Sequence, residues 1–179
     1  MGSGTSLSID ISLNTSLSEL ERQHYQDPSD IRQLLGTAHT VAIVGLSKKP
    51  ERASNFVANY LMSEGYKVIP VNPRETEILG QKCYPDLHSI PEKVDIVDIF
   101  RRPSECEAIV KDAIAIGAKA VWMQLTVINL EAAASAREAG LTTIVDRCIK
   151  MEHGRYNGNL HWVGMNTEII SARKARRLF

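Results

Sequence analysis

The residues best suited to chemistry lie in "VAIVGLSKKPERASNFVANYLMSEGYKVIPVNPRE", Val41 to Glu75. An apolar run ends at Gly45, and Ser47, Lys48, Lys49, Arg52 and Ser54 follow it closely. A glycine lets a chain turn sharply off a strand, and the free amides opening the next helix suit an anion. Hydroxyls and cations around such amides fit a phosphate: arginine by paired hydrogen bonds, lysine as a point charge. The dinucleotide fingerprint asks for three glycines and an acid closing the second strand. This chain offers one glycine and, at the second strand's end, Asn72-Pro73-Arg74. A third apolar run, "VDIVDIF", ends at Phe100 and is followed by Arg101 and Arg102. Singly, each of these is an ordinary solvated loop cation or turn residue. Placed at three consecutive strand ends, they describe a site for a polyphosphate.

The nature of that polyphosphate follows from what is missing. NAD lacks its ribose-binding acid, because Glu75 lies beyond Pro73. NADP would tolerate Arg74, but barely 30 residues follow the fifth strand, too few for the second mononucleotide half that holds a nicotinamide. No GxxxxGK(S/T) stretch is present, which removes a Walker A site. Coenzyme A fits better. Its 3′-phosphate and its pyrophosphate need separate cations, and its pantetheine arm needs a cleft rather than a second domain.

Positioning such a site requires a particular set of elements. The sequence has 179 residues, 44% hydrophobic and 23% charged, ordinary for one globular domain with a substantial core. Lys+Arg and Asp+Glu balance at 21 each, so no overall field argues for nucleic acid or an acidic membrane. No apolar run approaches the roughly 20 residues of a membrane helix. Cys83, Cys106 and Cys148 show no metal-ligand spacing, which reads as reduced thiols and a cytoplasmic location. Nothing in the sequence supports a protein partner or a homodimer.

Met1–Gly4 reads as a cloning scar, and residues 1–28 as a flexible tail. Residues 29–179 read as a single domain with a basic C-terminal helical extension, "MNTEIISARKARRLF". A short helix carries Ile31, Leu34 and Leu35. Thereafter strands "TVAIVG", "YKVIPV", "VDIVDIF", "KAVWMQL" and "LTTIVDR" alternate with helices "SNFVANYLMSEG", "ECEAIVKDAIAIG" and "NLEAAASAREAG". In the first of these helices the spacing puts Phe56, Val57, Tyr60 and Leu61 on the buried face, with Ser54 as the cap. Ser104 and Glu107 are in capping-box register before the second, and Asn129 opens the third. The alternation predicts an α/β fold, a Rossmann-like five-stranded parallel sheet with helices on both faces. The expected strand order is 3-2-1-4-5. Ligands of such sheets lie at the carboxyl ends of the strands, which brings segments 45–54, 72–74, 100–103, 124–126 and 146–148 to one rim.

The stretches "VAIVGLSKKPERASNFVANYLMSEGYKVIPVNP", "DIVDIFRRP", "AVWMQ" and "EAAASAREAGLTTIVDRCIKMEH" resemble the small stand-alone CoA-binding proteins. These are relatives of the CoA-binding domain of succinyl-CoA synthetase α subunits and of NDP-forming acyl-CoA synthetases. The resemblance runs from about Ile31 to His153. It implies that CoA, or an acyl-CoA, is held by Gly45, Leu46, Ser47 and Lys48, with Arg52 and Ser54 in the same motif. It further implies contacts from Arg74 after the Asn72-Pro73 turn, and from Phe100, Arg101 and Arg102. One departure is "QLTVIN", where the family pattern has glycine at Thr126. That implies a differently shaped turn and weakens Gln124 as a ligand contact. The resemblance supplies no catalytic group, since the phosphate-carrying histidine of the large synthetases belongs to another of their domains. His88, His153 and His161 are dispersed. The expectation is a binding protein. The alternatives are an NAD(P)-dependent or CoA-transfer enzyme, and an interaction module docking through "ARKARRLF". Cys148, near Arg147 and Lys150, is expected as a small packing cysteine buried at a strand end; the alternative places it near the pantetheine thiol, favoured as a thiolate by those cations.

Overall fold

The computed structural model describes residues 17–156. Helix α1 (Glu19–Tyr25) leads into α2 (Pro28–Thr37), strand β1 (Thr40–Val44), α3 (Ala53–Ser63) and β2 (Lys67–Val71). A small hairpin, β3 (Glu77–Ile78) and β4 (Gln81–Lys82), interrupts the next connection. Then come β5 (Ile96–Ile99), a 3-10 turn at Pro103–Glu105, α4 (Cys106–Ala115), β6 (Ala120–Met123), α5 (Leu130–Glu138), β7 (Thr142–Ile144) and α6 (Ile149–Tyr156). The expected final helix and His161 lie outside the described residues.

The five long strands form one parallel sheet, ordered β2-β1-β5-β6-β7. The five-stranded, helix-covered parallel sheet is as expected. The position of one strand is not: counting only these five, the order is 2-1-3-4-5, with β5 beside β1 rather than outside β2. Pro70 explains the difference. In the parallel ladder its carbonyl faces away from β1 and accepts the Tyr84 amide at 2.9 Å, so its missing N–H faces outward as well. A proline is tolerated in a strand only at such an edge, and a third strand there would lack a donor. The outer side of β2 is closed instead by a single parallel bridge from Val71 to Tyr84.

Alternate residues of each strand feed two cores. Ala42, Ile69, Val97 and Val121 pack under α4 and α5, while Val41, Val68, Ile96 and Trp122 pack under α2, α3 and α6. Each fully buried aliphatic side chain contributes about 1.5–3 kcal/mol. Trp122 is completely buried and its indole donates to the Arg147 carbonyl at 2.7 Å. Three local expectations are corrected. Residues 17–28 are not tail-like: α1 is closed by a capping box between Ser18 and Glu21, and Tyr25 and Gln26 are buried. Gln26 donates to the Val145 carbonyl, and the Val145 amide donates to the Tyr25 carbonyl, so this junction lies against β7. In α3, Val57 and Leu61 face the core but Phe56 is 60% exposed, because the inward face also takes Ser54, Asn55 and Ala58. The carboxylate capping the turn before α4 is Glu105, which accepts the Arg102 amide, rather than Glu107 paired with Ser104. Asn129 caps α5 as expected, accepting the Ala132 amide at 2.9 Å.

Candidate functional site

With this strand order the chain leaves the first and third strands of the sheet in opposite directions, and the crevice opens between β1 and β5. Gly45 and Phe100 end those two strands, and their turns touch. Gly45 sits at φ +88°, a left-handed conformation. A Cβ on it would stand 2.7 Å from the Phe100 carbonyl oxygen and 2.7 Å from Arg101 Cδ. The glycine is therefore required by the approach of the neighbouring strand's turn, before any ligand is considered.

Beyond Gly45 the loop is held from beneath. Leu46 is fully buried, leaving only its backbone near the rim. Its carbonyl accepts from Asn72 Nδ2 at 2.9 Å, and Asn72 Oδ1 accepts the Arg74 amide at 3.0 Å. Asn72 thus ties the loop after β1 to the turn after β2 and sets the stem of Arg74, whose side chain is exposed beside the exposed Pro73. Ser54 is buried and its Oγ accepts the Ser47 amide at 3.1 Å; Asn55 donates to the Ser47 carbonyl at 2.8 Å. The expected cap on α3 is absent. Arg52 occupies that position without a side-chain cap bond, so the opening amides of an eleven-residue helix carry no side-chain acceptor.

The cations are engaged in different degrees. Lys48 reaches Glu75 at 3.0 Å. Glu105 receives Arg101 at 2.6 Å and Arg102 at 3.3 Å; Arg101 foremost holds its carboxyl below the usual range. Arg101 stands between two clefts. One, of about 450 Å³, is lined by Ala53 and Val57 of α3, by Phe100–Pro103, by Gln124–Val127 and by Cys148. The other, of about 430 Å³, lies across Gly45 and Arg101, against Asn72, Pro73 and the side of α4. The first cleft brings together α3's N-terminus and the ends of β5, β6 and β7, whereas Gly45, Asn72 and Pro73 line the second.

The turn after β6 keeps the left-handed backbone a glycine would adopt: Thr126 has φ +67°. Its amide donates to Asp146 Oδ1 at 2.7 Å. Gln124 is buried, lines the first cleft, and donates to Asp98 Oδ1 at 2.7 Å. Asp98 was not anticipated. It lies fully buried in β5, and burial pushes its carboxyl up to about 8. The available signal was an acid at an inward position of an otherwise apolar strand. Cys148 is half-buried on the same cleft. Its thiol is raised rather than lowered, by burial first and by Asp98, against the weaker pull of Lys150 and two backbone amides. The raised thiol runs against the alternative of a ready thiolate. His153 lies elsewhere, buried against Tyr60, whose hydroxyl is 3.0 Å from its Nδ1. Among the described residues no group of three His, Cys, Asp or Glu is placed to hold a metal, and no helix is long and apolar enough to cross a membrane.

Known proteins share this architecture. The chain is 37% identical over 130 residues to the uncharacterized protein YneT of Bacillus subtilis, covering 72% of this chain and 96% of that one. A solved hypothetical protein from Pyrococcus horikoshii superposes with a TM-score of 0.70 at 46% identity, covering 72% of this chain and 91% of that chain. An ADP-forming acetate–CoA ligase of Archaeoglobus fulgidus is 39% identical over 59 residues, which are 33% of this chain and only 9% of the ligase. Residues 39–154 match the family described as the CoA binding domain, and the chain belongs to that family.

Proposed function

We propose that the chain binds coenzyme A or an acyl-CoA along the carboxyl edge of its sheet, and that binding rather than chemistry is its task. One observation carries this reading. In a chain without net charge, the uncapped start of α3 and Arg101–Arg102 face one cleft, with Arg74 on the adjoining turn. Helix N-termini and arginines are both anion sites. In this reading the loop from Gly45 through Leu46, Ser47 and Lys48 to Arg52 and Ser54 takes the pyrophosphate. Asn72 and Pro73 present Arg74 to the 3′-phosphate, and the pantetheine arm enters the cleft floored by Phe100, Gln124 and Cys148. Leu46 contributes through its backbone.

Titration calorimetry tests this directly. CoA is expected to bind well, NAD poorly, and dephospho-CoA more weakly than CoA by about 1.5–3 kcal/mol, the worth of one charge-assisted contact. Arg74→Ala should lose a similar amount and erase the preference for the 3′-phosphate while folding normally. NAD binding tighter than CoA would overturn the reading, and an undiminished Arg74→Ala would overturn that residue's part in it.

A further inference from the structure

Asp98 stands opposite Trp122 in the β5–β6 ladder, and Gln124 follows Trp122 by two residues. Side chains two apart along a strand share a face, so the Gln124 amide meets the Asp98 carboxyl across neighbouring strands. Gln124 Nε2 donates to Asp98 Oδ1 at 2.7 Å. Oδ1 accepts whether the acid is ionised or carries its proton on Oδ2, so this bond fixes which end of the amide faces inward. The backbone around it is held as well: the Val127 amide donates to the Gln124 carbonyl at 2.9 Å, and the Thr126 amide to Asp146 Oδ1. Gln124 Oε1, by contrast, accepts no hydrogen bond among the described residues. The completely buried side-chain atoms without a partner there are Asp98 Oδ2, Arg147 Nε and Arg155 Nε. Gln124 Oε1 is not one of them, although the residue is only 4% exposed. Gln124 lines the first cleft, and that small exposure therefore opens its oxygen to the cleft.

We propose that Gln124 reads the pantetheine arm, its Oε1 accepting a hydrogen bond from an arm donor, and that Asp98 is the positioning residue that turns this oxygen to the ligand. The proposal rests on the CoA reading above. Around Gln124 the cleft walls are largely apolar, from Ala53, Val57, Phe100, Leu125 and Val127. One fixed acceptor in such surroundings selects a chain that carries a donor on an otherwise apolar stem. The pantetheine arm has that chemistry in its two amide N–H groups and its terminal thiol. A thioester keeps the amides and loses the thiol proton. A chain with acceptors only, or with no polar group, leaves Oε1 desolvated and unpaired, and is rejected for that reason. With an apolar residue in place of Asp98, the Gln124 amide is free to turn its NH2 group to the cleft. An arm donor then meets a donor instead of an acceptor.

Calorimetry with three ligands tests this: CoA, acetyl-CoA, and adenosine 3′,5′-bisphosphate, which keeps the nucleotide end of CoA but has no arm. Gln124→Met keeps the length of the side chain and removes the acceptor. It should weaken CoA about three- to tenfold, the worth of one neutral hydrogen bond, and leave the bisphosphate unchanged. Asp98→Leu should weaken CoA to the same extent and add nothing in the Gln124→Met background. Asp98→Asn, which keeps an oxygen for the Gln124 amide, should restore the affinity that Asp98→Leu loses. Urea unfolding checks that each variant is folded; where a single variant is not, the double variant, which removes both buried polar partners together, carries the comparison of CoA with the bisphosphate. Equal losses with CoA and acetyl-CoA assign the donor to an arm amide, and a loss confined to CoA assigns it to the thiol. A loss that extends to the bisphosphate, or one confined to acetyl-CoA, would overturn the role of Gln124. An Asp98→Leu variant that binds CoA as wild type does would overturn that of Asp98. Undiminished CoA binding by Gln124→Met sinks this proposal alone, whereas no CoA binding by wild type sinks it together with the reading beneath it.

Discussion

Replacing Asp98 by asparagine should make the protein more stable at neutral pH, and the gain can be worked from the structure. The carboxyl rises from 3.8 to about 8 on burial, while in the unfolded chain it titrates near its ordinary value. The native state therefore keeps a proton that the unfolded state releases. Stability from this group is fully present below about pH 4 and is lost progressively as pH rises toward 8. From 3.8 to pH 7 is about three pH units, worth at most about 4 kcal/mol at roughly 1.4 kcal/mol each. Asparagine keeps an oxygen for the Gln124 amide and cannot ionise. Its NH2 group falls where Oδ2 has no partner, a cost of about 1–3 kcal/mol that an unpaired acid O–H there already incurs. The variant should match wild type near pH 4 and exceed it by about 2–4 kcal/mol at pH 7. Urea unfolding at several pH values, followed by the fluorescence of buried Trp122, gives the difference. The surface carboxylates whose values are lowered, such as Asp86 and Glu105, contribute in the opposite direction but equally to both proteins. Stability curves that run parallel from pH 4 to 8 would show that Asp98 is not a buried acid held protonated.

Four further substitutions have expected outcomes, three on the rim and one in α2. Gly45→Ala forces a Cβ against the Phe100 carbonyl in a left-handed conformation and should cost about 2–4 kcal/mol in urea unfolding; Gly36→Ala, with open space around it in α2, should instead gain up to about 1 kcal/mol. Thr126→Gly relieves a β-branched residue from a left-handed backbone and should raise stability by about 1 kcal/mol, read as a higher midpoint of thermal unfolding; a loss would mean the threonine side chain contributes packing that outweighs its strain. Glu105→Gln releases Arg101 and Arg102 and should tighten CoA two- to fivefold by calorimetry, the scale of exposed ion pairs. Weaker binding by that variant would show that the carboxylate assists these arginines instead of competing for them.

The alternation of elements was legible because strands buried on both faces read as continuous apolar runs between helical periods. The neighbour of β1 was legible too: a proline inside "YKVIPV" places that strand at an edge and moves the third strand to the other side. Phe56 was misplaced because periodicity alone cannot separate the two flanks of a helix whose inward face also accepts Ser54 and Asn55. Phe56 lies outside, where Lys150 stands 4.2 Å over its ring. Thr126 shows a different limit. The Asp146 carboxylate holds the Thr126 amide, and no local propensity reports a bond made twenty residues away. The cations of the rim could be read from the sequence, whereas their pairing with Glu75 and Glu105 depends on loops meeting in space. Cys148 is the sharpest case. Its sequence neighbours are basic, but burial, far more than any neighbouring charge, sets the direction of its thiol.

The two ends of the sheet bear on how molecules of this protein meet one another. An open parallel sheet normally presents a row of unpaired amides and carbonyls along each outer strand, and such a row templates accidental association. Here both rows are shortened and occupied. On β2 a proline removes one donor, its carbonyl accepts the Tyr84 amide, and the Tyr84 carbonyl accepts the Asn72 amide just beyond the strand. On β7, only three residues long, the backbone and amide side chain of the Tyr25–Gln26 junction cover the strand's exit. Among the described residues a second copy therefore finds only a short row of free backbone at either edge. Deleting the first helix would unmask the β7 side and turn a self-limiting sheet into one prone to stacking end upon end.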